Sequence, residues 1–89
     1  MTKNGGLRTI KAACFAGPAD GTVITVRRTQ EEWTSPQGEV YRRKKIYVPE
    51  FGYRPLFIWG KIDFDLIDKT VAVQACLDAI DDEDEGNSI

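Results

Sequence analysis

Along the first half of the chain, apolar and polar positions alternate in short runs, the period of half-buried β-strands rather than of helix. Residues 7–16 place Ile10, Ala12, Cys14 and Ala16 on one side and Leu7, Thr9, Lys11, Ala13 and Phe15 on the other, which predicts a strand buried towards its end. Gly17-Pro18-Ala19-Asp20-Gly21 supplies a preset proline dihedral and two glycines able to take positive φ, so the chain reverses there. Residues 22–29 are rich in β-branched side chains and are expected to pair antiparallel with the first strand. The polar interval 30–39 contains the turn-like Ser35-Pro36-Gln37-Gly38 and reads as a hairpin extension. Trp33 lies on it, either covering one end of a small core or standing as a contact residue.

Residues 40–48 form the third expected strand, with Tyr41, Arg43, Lys45 and Tyr47 on one face and Val40, Arg42, Lys44, Ile46 and Val48 on the other. Two cations on each face bar its middle from deep burial, because an unpaired buried charge costs several kcal/mol. It is therefore expected to overhang the core, lie at an edge, or run its side-chain stems over apolar neighbours. Pro49 and the turn around Gly52 lead to residues 56–60, LFIWG, a short apolar strand and the best candidate for a central position. Asp63 or Asp65 can cap a following helix. Over residues 66–80, Leu66, Val73, Leu77 and Ile80 fall at helical spacing, and Ala72, Ala75 and Ala79 favour helix over strand. The expected fold class is α+β: a four-stranded antiparallel meander in residues 7–80, one face covered by a C-terminal helix. Residues 1–6 are expected to fray, and the acidic residues 81–89 to be disordered.

Eighty-nine residues make one domain with a thin core, burying roughly 60–70% of the surface exposed when unfolded. With 42% apolar and 29% charged residues the chain has a globular balance, no apolar run is long enough to cross a bilayer, and a cytoplasmic location is expected. Charge changes the picture more. Residues 1–61 carry eleven Lys and Arg against five Asp and Glu, and residues 62–89 one Lys against nine acids, so the net charge of −2 conceals a bipolar chain.

Candidate chemistry is sparse. The absence of histidine removes the commonest general base and transition-metal ligand, and excludes Ser-His or Cys-His nucleophiles. Cys14 and Cys76 lie far apart in sequence and are read as buried small apolar residues. Asp63 and Asp65 are a close carboxylate pair without further ligands, so capping is favoured over a cation site. No glycine-rich phosphate loop occurs, and the expectation is no enzyme, no cofactor and no metal.

Two binding classes remain. Arg27, Arg28, Arg42, Arg43, Lys44, Lys45 and Arg54, interleaved with Trp33, Tyr41, Tyr47 and Tyr53, are residue types that grip phosphates and stack on bases, although a pI near 5.0 opposes nucleic-acid binding. Protein binding is favoured: an extended basic and aromatic hairpin, with an acidic C-terminal part, gives two oppositely charged docking surfaces, open to another protein or to a second copy of this chain. The expected partner-binding residues are Trp33, Tyr41, Arg43, Lys45, Tyr47 and Tyr53, as exposed anchors and steering charges. Residues 14–26, CFAGPADGTVITV, followed by a polar interval, Tyr41-Arg42-Arg43, an aromatic strand and a short helix, resemble small accessory proteins of tailed phages of actinobacteria. Such proteins are mostly of unassigned function, and because some small phage proteins bind and disable host proteins the resemblance adds a little weight to an inhibitor; it assigns a role to no residue.

Overall fold

Alternation in the first strand is realised directly. β1 (Thr9–Phe15) turns Ile10, Ala12 and Cys14 to one face and Ala13 to the other, all buried. The structure, a computed structural model, describes residues 8–87, with side chains through Asp82; the expected fraying of residues 1–6 lies outside them. β2 (Val23–Arg27), β3 (Glu32–Thr34), β4 (Val40–Val48) and β5 (Gly52–Trp59) follow, then a 3-10 turn (Phe64–Leu66) and the helix α1 (Lys69–Asn87). The chain is thus α+β, with one α-helix and a mostly antiparallel sheet.

The four-stranded meander is corrected in two respects. The sheet has five strands in the order β2-β1-β5-β4-β3, and β1 pairs with β5 in parallel. Glu32–Thr34, inside the interval read as a mere extension, pairs with Val40–Arg42 and makes the fifth strand. Consecutive strands β2 and β3 therefore sit at opposite edges. A flat five-stranded sheet would separate those edges by about 19 Å, whereas the five Cα steps from Arg27 to Glu32 span at most about 17 Å. The sheet has to curl, and it approaches a barrel.

Curling creates two cores. Inside the curve lie Ile10, Ala12, Cys14, Ile24, Val26, Tyr41 and Phe57, closed by the half-buried Trp33 and Trp59. On the outer face Ala13, Ile46, Val48, Leu56 and Ile58 pack beneath Ala72, Cys76, Ala79 and Ile80 of α1. β5 feeds both layers, with Leu56, Phe57 and Ile58 all buried, as its apolar run requires of a central strand. Cys14 and Cys76 are buried free thiols in different layers.

Asp63 caps the 3-10 turn, its Oδ1 accepting the Asp65 N–H at 2.9 Å. Asp68 caps α1 instead, accepting the Thr70 N–H at 2.7 Å, so α1 begins three residues after the expected start. Its backbone continues to Asn87 rather than stopping at Ile80. Side chains after Asp82 and residues 88–89 lie outside the described residues, and with them the expected disordered tail. No helix among the described residues is long and apolar enough to cross a membrane.

Candidate protein-docking surface

The six nominated residues separate along β4 at the point where β3 ends. Tyr41 is fully buried, which overturns its reading as an exposed anchor. Its hydroxyl donates to Ala16 C=O at 2.6 Å and accepts from Ala19 N–H at 2.9 Å, pinning the turn between β1 and β2 from inside the curve. That turn needs pinning: Ala16 sits at φ 69° and ψ 171°, a region otherwise almost reserved for glycine. At Gly17 (φ 67°) a Cβ would lie 2.7 Å from both Trp59 and the Tyr41 hydroxyl. Desolvation raises the Tyr41 pKa, against the opposing effect of the Ala19 N–H. Trp33 is opposite Tyr41 in the ladder, with ring centroids 5.6 Å apart; it covers one end of the inner core.

Arg43 is also a fold residue. Its guanidinium donates to Arg28 C=O at 2.7 Å and to a Glu31 carboxylate oxygen at 2.8 Å, and its N–H donates to Glu31 C=O. The side chain holds the β2–β3 connection across the curve and is only 23% exposed, so it is not a freely presented steering charge. Arg42 pairs with Glu32 at 3.4 Å.

Beyond Arg43 the strand changes character. Tyr47 and Tyr53 face each other across the hairpin in an edge-to-face pair at 5.4 Å, yet they are 59% and 69% exposed. Lys45 Nζ lies 5.9 Å from the Tyr53 ring centre, and Phe51 in the connecting turn is 51% exposed. Sequence reasoning missed Phe51, although its place beside the Gly52 turn was a signal that it projects at the tip. Cations crowd both faces here as the charge argument required: Lys44 Nζ lies 5.5 Å from the Phe64 ring centre. Between this half-hairpin and the start of α1 runs a groove of about 350 Å³, lined by Tyr47, Tyr53, Phe64, Ile67 and Val73 among others.

A second depression, about 250 Å³, opens on the N-terminal side of the three paired residues of β1 and β5, before the two strands meet. Ile10, Arg28, Arg43, Lys45, Tyr53 and Pro55 line it. Burial pushes the Cys14 pKa up to about 12 and that of Cys76 to about 11, so both thiols are protonated at neutral pH. Among the described residues no three His, Cys, Asp or Glu side chains come together as a metal set. The Glu39 pKa is lowered, chiefly by the Trp59 Nε1–H at 2.8 Å and with help from Lys61, and its carboxylate ties down a ring that packs on the inner core. Comparison with protein-family models, with curated proteins and with solved structures finds no match.

Proposed function

We propose that the protein is a non-enzymatic binding module that docks on another protein through the outer half of the β4–β5 hairpin, and that it acts as an inhibitor or modulator of that partner. One observation carries the reading: Tyr47 and Tyr53 are more than half exposed although paired. A domain this small gains by burying aromatic surface wherever it can, and exposed aromatics held rigidly by one another are the residue type that dominates interface energetics. Lys45 supplies adjacent positive charge to orient the encounter. The anchors are thereby reduced to Lys45, Tyr47 and Tyr53, with Phe51 added. The likeness to phage accessory proteins supports a host protein as the partner.

The test is capture of protein from host lysate, with nuclease, by the wild type and by Tyr47→Ser/Tyr53→Ser. Loss of the captured protein by the variant at an unchanged Tm is expected; equal capture refutes the reading. The depression bearing Arg28, Lys45 and Tyr53 favours a second reading, single-stranded nucleic acid held by phosphate contacts and a stacked base. It predicts salt-dependent anisotropy changes with a labelled oligonucleotide, abolished by Arg28→Ala/Tyr53→Ala.

A further inference from the structure

Half of β4 offers hydrogen-bonding groups that the described fold does not use. β3 pairs only with Val40–Arg42, and the ladder on that side ends with Arg43 N–H donating to Glu31 C=O. Antiparallel strands turn their main-chain groups alternately to either side. Glu39 and Arg43 bond towards β3, while Val40 accepts from Gly60 on the β5 side, so the same alternation turns Lys45 and Tyr47 to the open side. Pro55 opposite Lys45 agrees with this, because at that pair neither nitrogen is needed across the ladder.

Charge selects the occupant. Lysines on an open edge repel another basic edge, so two copies of β4 laid side by side would set Lys44 and Lys45 against their own kind. An acidic strand meets attraction instead. Cross-strand neighbours share a face: a side chain opposite Lys45 would lie on the Lys45 and Tyr47 face, and its neighbours on the face of Ile46, where Phe64 and Val73 also line the groove. The matching pattern is acidic and apolar in alternation.

We propose that residues 44–48 of β4 receive an extended segment of the partner protein, alternating acidic and apolar, as an added strand bonded to the main chain of Lys45 and Tyr47. This rests on the protein-docking reading and adds the chemistry of the segment. The probe is a capped heptapeptide alternating Glu and Val, compared with one alternating Lys and Val, titrated into the ¹⁵N-labelled full chain. The largest amide shifts and slowed exchange are expected at Lys45 and Tyr47, with the Glu peptide only. Lys45→Pro removes one outward donor at an edge position where proline is tolerated, and should weaken the Glu peptide roughly three- to tenfold relative to Lys45→Ala, the loss of one ordinary hydrogen bond. Shifts elsewhere, no shifts at millimolar peptide, or equal binding of both peptides overturns the proposal, and these wild-type measurements decide it even if Lys45→Pro fails to fold. Partner affinity that is lost in Tyr47→Ser/Tyr53→Ser but equal in Lys45→Pro and Lys45→Ala overturns strand addition and leaves the docking reading standing; affinity unchanged in Tyr47→Ser/Tyr53→Ser overturns the docking reading itself.

Discussion

Replacing Tyr41 by Phe removes one oxygen and tests whether this residue serves the fold. The ring stays against Trp33 in the inner core, but the 2.9 Å bond from Ala19 N–H and the 2.6 Å bond to Ala16 C=O are lost. Ala19 is buried, so its N–H is left without water or partner at a cost of about 1–3 kcal/mol. The Ala16 carbonyl is nearer solvent, and losing its bond costs about 0.5–1.5 kcal/mol. Together these give roughly 2–4 kcal/mol, against a total near 4–13 kcal/mol for a chain of this length. At about 4–8 °C per kcal/mol for a domain this small, Tm should fall by roughly 8–32 °C. Calorimetry and urea unfolding measure it, with the urea midpoint falling at an unchanged slope. Tyr47→Phe and Tyr53→Phe are the controls, each expected within about 0.5 kcal/mol of wild type because those hydroxyls stand at the surface. A Tyr41→Phe shift below about 3 °C would show that the phenol does not hold the turn, and the assignment of Tyr41 to the fold would fall.

Three further outcomes follow from the same geometry. Arg43→Ala frees Arg28 C=O and Glu31 and should cost about 1–2 kcal/mol in urea unfolding, while Lys45→Glu leaves stability within about 0.5 kcal/mol and abolishes capture of the partner. Glu50 (φ 74°) and Ala16 (φ 69°) occupy positive φ without being glycine, so Glu50→Gly and Ala16→Gly should each raise stability by up to about 1 kcal/mol, read as a higher urea midpoint. The pKa values of Cys14 and Cys76 are raised from 9.0 to about 12 and about 11, so the unfolded chain loses those protons first: stability is full below pH 9 and falls as pH rises towards 11–12, by up to about 1.4 kcal/mol per pH unit per thiol. Tm measured from pH 8 to 11 should show that decline, flattened in Cys14→Ala/Cys76→Ala, and neither thiol should react with Ellman's reagent at pH 8 until the protein unfolds.

What the sequence made legible was local. Alternation located β1 and β4, the β-branched run located β2, the Ser35 to Gly38 turn closes as its composition implies, with Ser35 Oγ accepting the N–H groups of Gln37 and Glu39, and the apolar run around Phe57 became the central strand it predicted. The parallel β1–β5 pairing was not legible, because no local pattern records which edge a strand reaches after the chain has gone round. The charge argument on β4 reached the right conclusion for its second half, where no strand among the described residues covers Lys45. It failed at Tyr41, which shares a face with cations yet lies beneath Trp33; period-2 reasoning assigns a face but not how deep each position on that face sits. Arg43 was misread for a related reason, since a carbonyl and a carboxylate fifteen and twelve positions away leave no trace in its neighbourhood.

The length of β3 decides what β4 can do. Three residues of β3 suffice to cover Tyr41 and to bring Glu31 within reach of Arg43, which closes the curled sheet at one end. A longer β3 would have extended over Lys45 and Tyr47, leaving a better-paired sheet without the open stretch on β4. The chain instead leaves at Glu31 for β2, as it must, because the short β2–β3 connection is what forces the sheet to curl. Among the described residues, the edge of β4 left open beyond Arg43, beside the Tyr47 and Tyr53 pair, is therefore a consequence of the topology rather than an accident of one loop. Lengthening the β2–β3 connection with a few Gly and Ser residues gives the curl another way to relax, and it should disturb Tyr41 and Arg43 before it disturbs Tyr47 and Tyr53. Retained docking with a lowered Tm is the expected result. Loss of docking at unchanged Tm would mean that the connection itself, and not the far half of the hairpin, meets the partner.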